Sequence, residues 1–177
     1  RFPILTELIR ALVFSVPDSG LIYARQYAEQ ADRLGNVFHK AKGENFIGMC
    51  YSVKGEHAEA LTHYMRALDG FQRAGDRWYT AMSHNNIGSV HLTQKRLNDA
   101  RTRFQEAFDG FTAVKDTAWM ANTANNLANV FRAEGLLDSA YTYYARAADA
   151  LERIGDREHA GLQRLPLGCH VPRPGQS

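Results

Sequence analysis

Two asparagine pairs carry the most suggestive chemistry in this chain: Asn85-Asn86 and Asn125-Asn126, separated by 40 residues (125 − 85 = 40). A primary-amide side chain offers both a donor and an acceptor. That combination meets the alternating N–H and C=O groups of an extended peptide. Asparagine is an indifferent helix former, so a pair recurring at a fixed interval asks for a reason. Two answers fit. The amides form a ladder for another chain's backbone, or they bridge neighbouring helices and stiffen the molecule.

Other chemistry-bearing residues are dispersed. His84 and His91 are seven residues apart (91 − 84 = 7), or about 10 Å along a helix at 1.5 Å per residue, too far to share one ion. His39, His57, His63, His159 and His170 supply no His-x-x-x-His pair, and Cys50 and Cys169 form no Cys-x-x-Cys. Gly70 and Gly110 recur in Leu-Asp-Gly-Phe and Phe-Asp-Gly-Phe, a packing signature and not a phosphate loop. Carboxylates are scattered, with no isolated pair to serve as acid and base. These absences point away from an enzyme, a metal centre or a bound cofactor.

Composition sets further bounds. The 177 residues are 45% apolar and carry 21 Lys and Arg against 19 Asp and Glu, a net charge of +2. That is enough apolar matter for a packed core. The basic residues form no dense run of the kind that tracks nucleic-acid phosphates or an anionic membrane. No apolar stretch approaches the roughly 20 residues of a membrane-spanning helix. Two distant cysteines suit a reducing compartment, so a cytoplasmic location is expected. The chain opens at Arg1 without an initiator methionine, which reads as a fragment or a processed product.

The elements that position the asparagines repeat with the same interval. Gly48, Gly88 and Ala128 are 40 apart (88 − 48 = 40; 128 − 88 = 40), each preceded by Ile47, Ile87 or Leu127 and followed by Tyr51, His91 or Phe131. Ala60, Ala100 and Ala140, then Tyr64, Phe104 and Tyr144, then Ala67, Ala107 and Ala147 complete the pattern. Apolar spacing of three and four marks helices. Gly55 and Gly135 suit the left-handed stop after one helix, with Gln94-Lys95-Arg96 a poorer stop between them. Asn36, Asp76, Asp116 and Asp156 suit caps for the helices that follow, and Asn98 and Asp138 for the second helices. The spacing predicts helices over 37–54, 57–74, 77–94, 97–114, 117–134 and 137–154, paired as antiparallel hairpins by short connections. Residues 1–36 read as a divergent first unit, with a helix around Ile4–Phe14 and units following at 37–76, 77–116 and 117–156.

These residues resemble the tetratricopeptide repeat, whose pattern runs from a large residue through Leu-Gly and an aromatic to Ala, an aromatic and Ala. His91 and Ala128 are mild departures. The resemblance implies an all-α, right-handed α-solenoid of stacked helix hairpins, a tetratricopeptide superhelix. HEAT and armadillo units share the period but lack this residue order. The 40-residue unit, against the usual 34, is similar to those of kinesin light chains, Pins-like adaptors and bacterial regulators. First helices of this family line a concave face. Exposed positions there are expected at Lys42, Asn45, Met49 and Ser52; at Met82, Asn85, Ser89 and Leu92; and at Asn122, Asn125, Asn129 and Arg132, with Asn86 and Asn126 alongside. The resemblance implies that Asn85, Asn86, Asn125 and Asn126 hold peptide backbone of a protein partner. The carboxylate clamp of chaperone-binding members is matched only by Asn86. Two functions are carried forward: a scaffold gripping a partner's peptide segment, and a regulatory or sensor segment of a larger bacterial signalling protein such as a kinase, cyclase or transcription regulator.

Trp78, Tyr79 and Trp119 are expected to pack across repeat junctions, Tyr144 to be core and Tyr143 to be exposed. Composition changes after Ala160. A further first helix is due over 157–177, yet Pro166, Pro172 and Pro174 would break it. The segment reads as an irregular tail or a frameshifted unit, and exposure of the last repeat face would favour self-association.

Overall fold

In a computed structural model, residues 2–153 and 155 are described, and among them there are eight helices and no strand. These are α1 (Phe2–Ser15), α2 (Pro17–Arg33), α3 (Val37–Val53), α4 (His57–Arg73), α5 (Arg77–Thr93), α6 (Leu97–Ala113), α7 (Thr117–Ala133) and α8 (Leu137–Arg153). From α3 onward each of the six spans 17 residues and starts at the expected residue. The first-helix caps form as the sequence reading required. Asn36, Asp76 and Asp116 accept from the backbone N–H of His39, Tyr79 and Trp119 at 2.9, 2.9 and 3.0 Å, each satisfying an orphan donor of its helix.

The second helices begin differently. Asn98 and Asp138 are not caps, because α6 and α8 start one residue earlier, at Leu97 and Leu137. Arg96 holds the cap position of α6 without a side-chain hydrogen bond, and the Asn98 amide oxygen instead accepts from Arg101 at 3.2 Å. Asp138 still lies in the first turn, where a carboxylate suits the helix dipole. Every turn after a helix from α2 onward places one residue in the left-handed region. Gly35, Gly55, Gly75, Gly135 and Gly155 do so without strain, while Lys95 and Lys115 adopt φ 59° with a side chain attached.

Each helix packs on the next, and the odd-numbered helices also touch one another, so they form one layer and the even-numbered helices a second. The close approach inside a hairpin comes from the small residues of the repeat. A Cβ on Gly48 would sit 2.7 Å from the Tyr64 ring, and one on Gly88 would sit 2.9 Å from Phe104. In the last hairpin Ala128 packs with Ala140 and Tyr144. Across repeat junctions the aromatic residues pair. Trp78 meets Trp119 edge-on at 5.8 Å, and Trp119 stacks on Phe111 at 5.5 Å. Tyr144 is buried as expected. Tyr143 is not exposed: it lies half-buried against Phe108 and Phe131 and donates to Gln105 at 3.1 Å. The expected tail over 157–177, the Asp156 cap and Cys169 lie outside the described residues.

Candidate functional site

The asparagines define the geometry of the inner layer. Asn86 of α5 donates to the Asn45 amide oxygen on α3 at 3.0 Å, and Asn126 of α7 donates to Asn85 on α5 at 3.0 Å. Asn45 also donates to the Met49 sulfur at 3.6 Å. Adjacent helical residues point about 100° apart, so Asn85 faces α7 while Asn86 faces α3. The sector between them faces neither neighbour and forms the inner strip. On α5 that sector holds Trp78, Met82, Ser89 and Thr93. The same arithmetic gives Phe38, Lys42, Met49 and Val53 on α3, and Ala118, Asn122, Asn129 and Ala133 on α7. All twelve are half-buried or exposed.

Against this frame the expected site residues divide. Lys42, Met49, Met82, Ser89, Asn122 and Asn129 fall on the strip. Asn45 and Asn85 do not belong to an exposed set. They are 4% and 6% exposed, and their oxygens are taken by the next helix. Asn86 and Asn126 are half-buried donors at the strip's edges. Asn125 repeats the placement of Asn45 and Asn85 with no side-chain partner among the described residues, and Arg132 points the same way and is exposed. Ser52 and Leu92 turn toward the following odd-numbered helix and are half-buried. The reading missed Val53, Thr93 and Ala133; the same helical wheel would have found them, but their side chains carried no chemistry that drew notice.

Polar capacity on the strip is partly spent. Ser89 and Thr93 donate to the Asn85 and Ser89 carbonyls of their own helix at 3.0 Å each. The Asn129 oxygen accepts from the Tyr144 hydroxyl at 2.6 Å. Lys42 leans its ammonium over the rings of Phe46 and Tyr79, at 5.9 and 5.8 Å. Its nitrogen has no carboxylate within 4 Å among the described residues. Asn122 is fully available to solvent. The strip is therefore a mixed amide, methionine and cationic surface, not a catalytic constellation. Among the described residues no group of three or more His, Cys, Asp or Glu is placed to hold a metal ion.

Ionisable groups cluster elsewhere, between the two helices of a hairpin. In α3–α4, Glu44 accepts from His63 at 2.7 Å, with Arg66 at 3.9 Å. In α5–α6, His84 lies 2.9 Å from Glu106, with Arg103 3.1 Å from the same carboxylate. The same three residue types occupy equivalent positions in permuted order. Burial holds His84 below the usual histidine range; Glu106 beside it pulls the other way and Arg103 reinforces the drop. Burial likewise lowers His91 and raises the Cys50 thiol to about 11, which keeps it protonated and unreactive at neutral pH. Two clefts of 620 and 590 Å³ border these clusters on the outer side of the strip's helices, again in equivalent positions, over Gly70 and Gly110.

A family model described as "Tetratricopeptide repeat" matches residues 39–113. With eight helices in stacked hairpins and every signature residue in its packing role, the chain is a tetratricopeptide-repeat protein. No curated protein matches the chain. Solved structures do. A Rap protein complexed with Competence and Sporulation Factor superposes with a TM-score of 0.84 at 18% identity, over 91% of this chain and 45% of the other. Aspartyl phosphate phosphatase F from Bacillus subtilis gives 0.85 at 14% identity, over 90% and 42%. A putative kinesin light chain of Podosopora anserina with nearly identical TPR-like repeats gives 0.67 at 11% identity, over 93% and 92%. The chain thus spans under half the length of the first two, and likeness at these identities is likeness of fold. No helix among the described residues is long and apolar enough to cross a membrane.

Proposed function

We propose that this chain is a non-catalytic interaction scaffold that holds a segment of a partner protein along the inner strip of α3, α5 and α7. The observation that supports it most is the segregation of side-chain roles. Asn45–Asn86 and Asn85–Asn126 brace the layer from within, and that bracing leaves Lys42, Met49, Met82 and Asn122 presented together on a surface whose backbone is already satisfied. Methionines adapt to varied apolar side chains, and a repeat stack offers an extended surface for a linear segment. A structure of the same fold is a complex with Competence and Sporulation Factor, an analogy of fold that favours ligand capture by such a stack. It also keeps open the second reading, a regulatory segment of a longer signalling protein.

The test is a selection of linear peptides on the full chain, followed by amide chemical-shift mapping. Perturbations confined to α3, α5 and α7 and lost in Met82→Ser and Asn122→Ala support groove capture. Perturbations on the even-numbered helices alone would remove it. Alanine at Asn45 or Asn85 is the wrong probe, because both are bracing groups.

A further inference from the structure

We infer that the segment held by the inner strip is acidic, recognised through internal Asp or Glu side chains and not through a free chain terminus. The inference rests on the groove reading above and adds the partner's chemistry to it. Of the 19 acidic residues in the chain, Glu44 is the only one on α3, α5 or α7. Glu44 faces α4 and is spent on His63 and Arg66. The same three helices carry Lys40, Lys42, Arg77 and Arg132. Lys40 is paired with Asp32 at 2.7 Å, which leaves Lys42, Arg77 and Arg132 without a carboxylate partner among the described residues. The even-numbered helices, by contrast, hold acids and bases together, as in Arg73–Asp69, Arg96–Asp99 and Arg103–Glu106.

The carboxylates nearest the strip's ends do not offset this. Asp76 and Asp116 each spend an oxygen on a helix cap, and Asp116 accepts from Trp78 with the other. Glu134 is paired with Arg101 at 3.3 Å. An incoming carboxylate therefore meets no like charge on the strip itself, and a partly desolvated ammonium at Lys42 attracts it more strongly than an exposed lysine would. Like charges opposed across an interface are a principal means of rejecting wrong partners, and here only a basic segment meets them. Lys42 and Arg132 lie two helix spacings apart, about 20 Å at 8–10 Å each. That span corresponds to about six residues of extended chain at ~3.3 Å per residue. Met49 and Met82 occupy the interval. The fitting segment therefore carries two acidic residues flanking an apolar one. Three unpaired cations are too few for phosphate-backbone binding of useful strength at physiological salt.

The experiment pans the full chain against random twelve-residue peptides displayed without a free carboxyl terminus. Selected sequences are then made as acetylated, amidated peptides and titrated by fluorescence anisotropy. Asp and Glu enriched among the binders, with affinity reduced at least tenfold by Lys42→Glu and restored in part by a Lys-containing peptide, supports the inference. Binders that perturb the strip but are neutral or basic overturn the acidic partner while leaving groove capture standing. Binders indifferent to Lys42→Glu, Met82→Ser and Asn122→Ala alike overturn both, as does the absence of any binder. A fifteen-nucleotide single-stranded DNA bound at the strip as tightly as the best peptide also overturns it. Circular dichroism of each variant separates lost binding from lost folding.

Discussion

Trp78 and Asp116 are joined by a 2.8 Å hydrogen bond from the indole Nε1 to one carboxylate oxygen, while the other oxygen of Asp116 caps α7 by accepting from the Trp119 N–H at 3.0 Å. One side chain thus fixes the start of a helix and ties it to the preceding first helix. Asn36 performs the capping alone. Asp116→Ala should cost about 2–3 kcal/mol, a cap and a charge-assisted hydrogen bond together, against about 1 kcal/mol for Asn36→Ala. Urea unfolding of the two variants checks the difference. Equal losses would mean that the indole bond adds nothing.

Lys95 and Lys115 stand where other turns use glycine, both at φ 59°. A side chain in this region costs about 1–2 kcal/mol, and neither lysine has an ion pair among the described residues to offset it. Lys95→Gly and Lys115→Gly should each raise stability by about 1 kcal/mol, less the extra chain entropy of glycine when unfolded. Thermal melts decide this, and a lowered midpoint in both would contradict the turn geometry.

Gly43 makes the tightest approach of α3 to α2. A Cβ there would lie 2.8 Å from the Ala28 Cα and 2.9 Å from its nitrogen. Backbone yields less readily than the ring ends facing Gly48 and Gly88. Gly43→Ala should cost about 1–3 kcal/mol by overpacking, despite the better helix propensity of alanine. Gly88→Ala, whose counterpart in the last hairpin is already Ala128, should cost less. The ordering of the two denaturation midpoints is the measurement.

The period, the small-residue positions and the helix starts were legible because each rests on local chemistry: a cap, a left-handed turn, a gap for an aromatic. Asn98 and Asp138 misled because a capping residue and a first-turn acid look alike in sequence and differ by a shift of two residues. The asparagines were legible as unusual and not as braces. Whether an amide at position 85 faces a neighbour or a ligand depends on the angle between successive hairpins, a tertiary quantity that a 40-residue period does not encode. Tyr143 was read as exposed for the same reason, since its partners Phe108 and Phe131 come from other helices.

Burial holds His39, His84 and His91 below the usual histidine range, so in each the neutral form is favoured on folding. Unfolded histidine titrates near pH 6.5. The stabilisation is present above that value and is lost as pH falls through the lower folded-state values. The unfolding midpoint should therefore drop progressively below about pH 6.5. His91 is the sharpest case, since its Nδ1 is buried without a partner and its equivalents are Tyr51 and Phe131. His91→Phe should stabilise the fold and flatten the acid limb. A variant with an unchanged pH profile would show that His91 does not titrate across folding.

The brace between Asn85 and Asn126 yields the prediction that separates structure from binding. Asn126→Ala leaves the Asn85 oxygen buried without its donor, an unsatisfied group worth about 1–3 kcal/mol. Asn85→Ala strands the Asn126 amide at a half-exposed edge where water can reach it, so its cost should be the smaller. The double variant should cost less than the sum, because the second change removes a partner already orphaned, and a coupling of about 0.5–1.5 kcal/mol is expected. Asn122→Ala, on the strip and bonded to nothing, should leave stability unchanged and alter only capture of a partner. If Asn126→Ala proved neutral to stability yet abolished capture, the amide would belong to the ligand and not to the stack, and the inner wall would have to be redrawn with both asparagine pairs facing outward.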